Sequence, residues 1–542
     1  MMGRKERRCT PLEHLTLEDL VPPDHFYRFL DRTLDLSFVR ALVAPCYAAG
    51  GRPSIDPVVF FRLQLVLFFE GIRSERLLMR TLADRLAARW YSGYDLREPL
   101  PDHSSLTKIR QRYGVEVFRR FFDAIVEQCQ TAGLVWGREL YIDATKVVAD
   151  ASVDSITPRF AVAARAHVDD LFAQDADAGG PTPPLGSDDS GVRVAGKPLR
   201  IGPEDDEAPD LAAANAARHD WIEGGGRQDR TRGDPRYQRT GDLAVSTTDP
   251  DATHLRQRDG VRLGYQDHYV VDGGKARIIL AALVAPAEVP EDHPARDLLW
   301  HARFRWQLWP HQATGDKAYG TLDLIRALED QGVRAYIPLP DAANHPGFFA
   351  KNAFAYDATA DAYTCPGGSL LPFDRLNKRA HLRVYRADPA TCDACPLKER
   401  CTQSSRGRTV SRQDEEAYFD RVRVYQQTDP YKKAVRKRSV WVEPLFGEAK
   451  EWHGLRRFRL RRLWRVNSEA LLIAAGQNLK RLLSWRGWGR RPWPGGAPGL
   501  ALGPASTPSA LVLYVYWLVL PPVELSSALL APPASACHMR TA

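Results

Sequence analysis

The sequence predicts an α/β protein in which an all-α N-terminal part precedes a mixed five-stranded sheet interrupted by insertions. Three observations lead to this prediction. Apolar residues recur at helical spacing from about residue 15 to residue 135. Strand-like and helix-like segments alternate between residues 139 and 337. Two long stretches without these patterns, 173–242 and 340–430, interrupt the order.

The composition favours a polyanionic partner and gives no sign of a membrane segment. The 542 residues contain 75 Lys and Arg against 67 Asp and Glu, and residues 431–490 hold 16 of the cations against only 4 carboxylates. The first residues carry charges rather than the apolar core of a secretory signal, so we expect a cytoplasmic protein. The apolar run 510–520 ends at two prolines and is too short to span a bilayer, which excludes a membrane anchor.

Residues 1–135 are predicted to form the helical domain. Prolines divide it into short helices, and Asp102 supplies an N-cap for a helix that begins after it. Lys108, Arg110 and Arg112 fall on successive turns of that helix. They are candidates for DNA contacts, and a solvated basic face of a helical bundle remains an equal alternative.

The sheet is predicted from the order of its segments. A strand at 139–148 is followed, after the polar insertion 173–242, by a hairpin whose two arms are 263–272 and 276–284. A helix at 295–306, a short strand into Asp316, a helix at 321–330 and a strand at 333–337 complete it. This order matches the mixed sheet of the ribonuclease H fold, formed by residues 136–172 and 243–339. A helix over 210–218 is possible within the insertion.

Three carboxylates stand where a metal-dependent phosphodiester reaction needs them. Asp143 lies inside the first strand, where an ionised side chain is costly without a cation or hydrogen bonds. Asp316 follows a strand and precedes a helix. Glu443 and Lys450 are seven residues apart and share a helix face. Each residue alone is explained as well by a structural Asp, a turn or a surface charge pair.

Taken together and in this order, three blocks resemble the catalytic blocks of DDE transposases from bacterial insertion sequences. The blocks are Tyr141-Ile142-Asp143-Ala144-Thr145-Lys146, Gly315-Asp316-Lys317-Ala318-Tyr319-Gly320 and Glu443-x6-Lys450. The similarity extends from about residue 15 to residue 485 and includes the segments 52–54, 101–106, 246–252, 264–268 and 478–482. No physical account of the segment 246–252 follows from the sequence.

The resemblance implies that Asp143, Asp316 and Glu443 bind Mg²⁺ or Mn²⁺ and that Lys450 contacts a DNA phosphate. It also implies DNA partners, namely terminal inverted repeats and a target, and a homodimer assembled on DNA. The expected activity is metal-dependent cleavage of the element ends followed by strand transfer.

The sequence departs from the family pattern before the last carboxylate. Many relatives have Tyr-x2-Arg-x3-Glu, whereas Arg436 stands here at the tyrosine position and Ser439 at the arginine position, which leaves Arg438 as a substitute. Pro444 disfavours a mid-helix position for Glu443, so we expect this residue in a first turn or at a kink. Glu448 is the competing third carboxylate.

Residues 431–491 are predicted to be the final helices of the catalytic domain, with a basic surface. Arg456, Arg457 and Arg459 are candidates for phosphate contacts, and the interleaved aromatic rings suit stacking on unpaired bases. A basic solvated helix is the alternative. His268 and Tyr265 are expected in the core or next to the site. The tail, 492–542, resembles nothing in the family.

The segment 340–430 contains Cys365, Cys392, Cys395 and Cys401. Four thiolates suit a structural Zn²⁺ site, and the spacing between Cys392 and Cys395 is common among zinc ligands. Reduced cysteines without a metal are the alternative.

Two other functions remain open. One is a ribonuclease H-like nuclease that hydrolyses without joining. The other is a DNA-binding derivative without catalysis, against which the complete set of three carboxylates argues.

Overall fold

The computed structural model describes residues 15–48, 50, 54–158, 244–258, 260–339, 347–377 and 382–489. The predicted polar insertion 173–242, with its expected helix at 210–218, and the tail 492–542 lie outside the described residues. Residues up to Trp488 form one compact unit. None of the helices in the described ranges is long and apolar enough to cross a membrane.

The N-terminal part is helical, as predicted. Its helices are α1 (Leu17–Leu20), α2 (Phe26–Thr33), α3 (Phe38–Val43), α4 (Pro57–Phe69), α5 (Glu75–Asp84), α6 (Leu86–Ser92) and α7 (His103–Thr131). Asp102 caps α7 by accepting from the Ser104 amide at 2.8 Å, and Gly114 interrupts the helix with a φ of 61°. Because α4 is apolar on nearly every side, it lies in the centre of this part.

The main sheet is mixed and has six strands. They are β1 (Glu139–Val148), β4 (Thr253–Gln257), β5 (Gly260–Asp272), β6 (Ile279–Pro286), β7 (Gln312–Thr314) and β8 (Arg334–Tyr336), while β2 (Ile156–Pro158) and β3 (Ala244–Ser246) form a separate pair. The strand β5 is antiparallel to β1, β4 and β6, and β7 lies parallel to both β1 and β8. The prediction of five strands was therefore wrong by one, because β4 is short and follows an irregular loop.

The helices that flank the sheet are α8 (Asp292–Arg305) and α9 (Leu322–Asp330), and later α11 (Ala417–Gln426), α12 (Asp429–Trp441), α13 (Glu443–Trp452) and α14 (Leu463–Trp485). The amides of Asn467 and Asn478 on α14 each donate to and accept from the backbone of β6, at Val284 and Ile279. The otherwise unpaired groups of this edge strand are thereby satisfied.

The helical part and the main sheet share one hydrophobic core. The helix α14 connects them, since Gly476 lies so close to the Phe68 ring that an added Cβ would be 2.6 Å from it. A side chain at this position would push α4 away from α14.

The cysteine-bearing segment forms a second sheet that the sequence did not predict. Its strands are β9 (Ala355–Asp357), β10 (Ala362–Thr364), β11 (Leu370–Asn377), β12 (Leu382–Arg386) and β13 (Thr409–Gln413). The short helix α10 (Pro389–Asp393) lies between β12 and β13 in the chain. Its own core contains only six buried apolar residues, among them Phe354, Tyr363 and Tyr385.

Candidate active site

Asp143 and Asp316 lie side by side because their strands are parallel and in register. Tyr141 pairs with Thr314, and each aspartate comes two residues after its member of this pair. The Asp316 carboxylate accepts from the Ala318 amide at 2.8 Å, which begins a single helical turn after β7. Asp143, in the middle of β1, therefore lies level with Asp316, which comes just after the end of β7.

Asp143 is almost fully buried in a polar setting. Its Oδ1 accepts from the Ala144 amide at 3.0 Å, and its Oδ2 accepts from Arg438 at 2.7 Å. Burial raises the pKa of Asp143 to about 6, Arg438 opposes this rise, and the charges of Asp316 and Glu443 add to it. The pKa thus reflects three carboxylates that interact electrostatically.

Glu443 is the first residue of α13, with Pro444 directly after it in the first turn. This confirms the expectation drawn from the proline. The Glu443 carboxylate is half exposed and lies 3.6 Å from Arg438, so one guanidinium contacts both Asp143 and Glu443. Arg438, and not Ser439 at the family position, therefore supplies the arginine that bridges the two carboxylates.

Glu291 is a fourth carboxylate near this site, and the sequence analysis missed it. It directly precedes α8, and burial raises its pKa to about 7, with further increases from Asp316 and Asp143. Acidic residues at a helix start are common for reasons of the helix dipole alone, so no sequence signal distinguished Glu291.

The donors at this site suit a hard divalent cation, since all are carboxylate oxygens. As the side chains stand, the described residues contain no group of three or more His, Cys, Asp or Glu placed to hold a metal ion. The Arg438 guanidinium instead provides the positive charge between Asp143 and Glu443. The mutual repulsion that raises the pKa of Asp143 is what a bound cation would relieve.

Glu448, the competing third carboxylate, has structural partners. It accepts from Gln477 at 3.1 Å and from Arg481 at 3.2 Å, and it also pairs with Lys480. The neighbouring His453 and Lys480, together with the charge of Arg481, hold the pKa of Glu448 far below its ordinary value despite burial. All of its partners belong to α14 or to the loop after α13, and none belongs to the carboxylate group described above.

Lys450 lies two turns after Glu443 and is half buried. Burial and Arg456 lower the pKa of Lys450, while Asp267 raises it. Asp267 lies on β5 with no exposed surface, and so do His268 and Tyr265. Burial lowers the pKa of His268 to about 3, which keeps its ring neutral in the core.

The predicted DNA-contacting residues divide into exposed and buried ones. Lys108 and Arg112 are exposed on α7, and Arg456 and Arg457 are exposed in the loop that follows α13, although Arg457 pairs with Asp150 at 2.7 Å. Arg110, by contrast, is only 2% exposed. This position does not support the predicted DNA contact of Arg110.

Arg459 is also mostly buried and ion-paired. It lies 3.5 Å from Glu75 and 3.8 Å from Glu469, and Glu75 pairs with Arg110 as well. The pattern of arginines in the sequence did not separate these structural ion pairs from surface cations.

The segment 246–252, whose role does not follow from the sequence, caps α14. Asp249 accepts from the Arg462 amide at 2.9 Å and from the Tyr265 hydroxyl at 2.8 Å, and Asp251 accepts from the Leu463 amide at 2.8 Å. Ser246 fixes the turn by accepting from the Asp249 amide at 3.1 Å. The segment satisfies the first amides of α14 and fixes the loop before it.

Two of the four predicted zinc ligands, Cys365 and Cys395, lie around one turn of the second sheet. A Cβ built on Gly367 would be 3.2 Å from the Cys395 sulfur and 3.6 Å from the Cys365 sulfur. Burial raises the pKa of Cys401, and the charges of Cys365, Cys392 and Cys395 raise it further. None of the four forms a disulfide.

Comparisons with known proteins give two family matches. Residues 15–112 match the transposase domain DUF772, and residues 364–483 match the transposase DDE domain. The second range contains Glu443 and Lys450, whereas Asp143 and Asp316 lie outside both ranges. No curated protein and no solved structure matches the chain. The chain therefore contains a DUF772 transposase domain on its N-terminal side and a DDE transposase domain on its C-terminal side.

Proposed function

We propose that this transposase cleaves the ends of an insertion element and joins them to target DNA, with Asp143, Asp316 and Glu443 as its catalytic carboxylates. The main support is the position of Asp143 on β1 level with Asp316 just after the parallel strand β7, with Arg438 connecting Asp143 to Glu443. Three residues far apart in the sequence thus belong to one electrostatic group.

The sheet order supports a ribonuclease H-like catalytic domain. Along the path β6, β5, β1, β7, β8, the first three strands are antiparallel neighbours and the last two run parallel to β1. In this proposal β4 is an addition to the five-stranded sheet. The catalytic domain comprises residues 136–172, 243–339 and 431–491, and residues 173–242 and 340–430 are insertions.

Two Mg²⁺ or Mn²⁺ ions held by the three carboxylates would stabilise charge on the attacking and leaving oxygens of the phosphodiester. The protein's own groups prepare this site. The Ala144 amide orients one oxygen of Asp143, and the Ala318 amide orients Asp316. Arg438 keeps Asp143 and Glu443 together, and Lys450, on the same helix as Glu443, is placed to bind a DNA phosphate.

In this proposal the helical domain 1–135 binds the terminal repeats, and two copies assemble when both ends are bound. The exposed Lys108, Arg112, Arg456 and Arg457 are the preferred phosphate contacts. Arg110 and Arg459 act indirectly, since their ion pairs with Glu75 hold the helical part against residues 453–462, the basic loop between α13 and α14.

We also propose that Cys365, Cys392, Cys395 and Cys401 bind a structural Zn²⁺. The support is the approach of the Cys365 and Cys395 sulfurs to a single turn, the electrostatic effect of Cys365, Cys392 and Cys395 on Cys401, and the small size of the core beside them. The sulfurs have to draw closer together to hold the ion.

The catalytic assignment is tested by near-isosteric substitutions. We expect Asp143→Asn, Asp316→Asn and Glu443→Gln each to abolish Mg²⁺-dependent cleavage of end DNA and to leave binding of the ends nearly unchanged. Glu448→Gln is the matched control, and we expect the folded variant to cleave end DNA as the wild type does. Cleavage at the wild-type rate by Glu443→Gln would remove Glu443 from the site.

A joining assay separates the proposal from its alternatives. Pre-cut ends incubated with plasmid DNA should become joined to it. A nuclease would hydrolyse intact ends without joining pre-cut ones, and a regulator without catalysis would bind ends and do neither.

A further inference from the structure

The hairpin of β4 and β5 extends past the end of β1. The last pair between β1 and β5 is Val148 with Gly264, whereas β4 and β5 continue to pair as far as Gln257 with Gly260. Leu255 and Leu263 are buried at the base of the hairpin. The extension is therefore anchored in the core, and its tip projects from the sheet.

The projecting part is basic. Arg256, Arg258 and Arg262 are exposed, and Asp259 is the only acidic residue between 254 and 262. Lys146, from β1, reaches the hairpin and donates to the carbonyl of Arg256 at 3.3 Å. Lys146, Arg256 and Arg258 thus lie together, whereas Arg262 pairs with Leu255 and lies on the other face of the hairpin from Arg256.

An open depression of about 660 Å³ lies between the hairpin and β1. It is lined by Lys146, Arg256, Gln257 and Arg258, with no apolar side chain among them. Among the described residues, no carboxylate lies within 4 Å of the charged nitrogens of Lys146, Arg256 or Arg258. Many other cations of this protein are neutralised by a neighbour, so the charge of this depression is available to a ligand.

The depression lies near Glu291. Lys146 and Asp143 are three residues apart on β1 and therefore point to opposite faces of the strand. The charge of Lys146 nevertheless acts on Glu291, which also interacts with Asp143 and Asp316. A polyanion bound in the depression would thus pass near Glu291, beside the proposed catalytic residues.

We propose that this depression binds the backbone phosphates of the target duplex, an inference that rests on the proposed function. Point cations around an open concave surface suit phosphate oxygens spaced along a strand. A target has to be held largely without regard to its sequence, and phosphate contacts carry no sequence information. The depression is also separate from the helical domain to which we assign the terminal repeats.

The test uses the full-length protein and a labelled random-sequence 40-base-pair duplex, a length of about four helical turns that covers more than one such site. We expect Arg256→Ala with Arg258→Ala to weaken binding about tenfold or more at moderate salt. The slope of log Kd against log salt should fall by about 1.8, as expected for two lost phosphate contacts. The control is Arg119→Ala with Arg120→Ala, two exposed arginines of α7 that pair with Glu116.

The same variants are then assayed for joining of pre-cut ends to a plasmid. A reduced slope on random duplex together with reduced joining supports the inference. An unchanged slope, or a loss confined to duplexes that carry the terminal repeat, overturns it. If the wild type neither cleaves nor joins but the slope still falls, the proposed function fails while the phosphate site stands.

Discussion

Among single residues, Glu448 provides the sharpest contrast with the catalytic carboxylates. Its partners Lys480 and Arg481 lose a buried countercharge in Glu448→Gln, so we expect a loss of about 3 kcal/mol in the free energy of unfolding. Because the native pKa of Glu448 is lowered, this contribution is fully present above the unfolded pKa of about 4.3 and is lost progressively as the pH falls from there toward the much lower native pKa, so it is reduced in part at pH 3.5.

Chemical denaturation of the wild type and Glu448→Gln at pH 7 and pH 3.5 measures this difference. The exposed Glu116→Gln on α7 is the control and should cost under about 1 kcal/mol. A difference between Glu448→Gln and wild type that is equal at both pH values would contradict the assignment of Glu448 to a charge network.

At this scale the sequence predicted the three carboxylates because the blocks around them are distinctive. It also left Arg438 open as the substitute for the family arginine, and the structure places Arg438 against Asp143. It did not predict Glu291, whose proximity depends on the loop between β6 and α8. Nor did it separate Arg110 and Arg459 from surface cations, because burial depends on which helices meet.

Among the elements, the cap of α14 depends on a buried aspartate whose pKa is raised to about 6. Burial favours the neutral form of Asp249, so ionisation costs the folded state stability as the pH rises from about 4 to 6. Asn cannot ionise and still offers an oxygen to the Arg462 amide. We therefore expect the stability of Asp249→Asn relative to wild type to be about 2 kcal/mol more favourable at pH 7 than at pH 4.5, at about 1.4 kcal/mol per pKa unit.

Thermal melts of both proteins at the two pH values give this comparison. Asp251→Ala serves as a second variant, since it removes the contact to the Leu463 amide and should lower stability by about 1 kcal/mol at either pH. Equal melting differences between Asp249→Asn and wild type at pH 4.5 and pH 7 would show that Asp249 is ionised in the folded protein.

The second sheet should depend on zinc if its four cysteines bind the metal. We expect purified protein to contain about one equivalent of zinc and Cys392→Ser with Cys395→Ser to lose it, with increased proteolysis between residues 347 and 413. Cys129→Ser, at a buried cysteine of α7, is the control for zinc content. Less than half an equivalent in the wild type, unchanged in the double variant, would remove the zinc site.

Elements with a strong periodic pattern were predicted well, whereas short ones were not. The helix after Asp102, the strand β1 and the hairpin of β5 and β6 lie close to their predicted bounds. The strands β9, β10 and β13 have five residues or fewer, which is too short for an alternating pattern to distinguish them from loops.

At the scale of the whole molecule, the main finding is that the helical part and the catalytic sheet share one core. The sequence predicted separate domains from changes in composition, and composition carries no information on which surfaces pack together. The contact is reinforced by the ion pairs among Glu75, Arg110, Arg459 and Glu469, which join α5 and α7 to the basic loop and α14.

This shared network predicts that the two parts unfold together. In Glu75→Gln the buried Arg110 loses its carboxylate, and Arg459 loses one of two, so we expect a loss of about 3–5 kcal/mol in stability. Calorimetry of wild type and Glu75→Gln should show one main transition that moves down by several degrees as a whole, with Glu116→Gln close to wild type. If instead two transitions appear and only one of them moves, the helical part is an independent unit. In that case Arg459 would be free to act in DNA binding, and its ion pairs would not hold the basic loop in place.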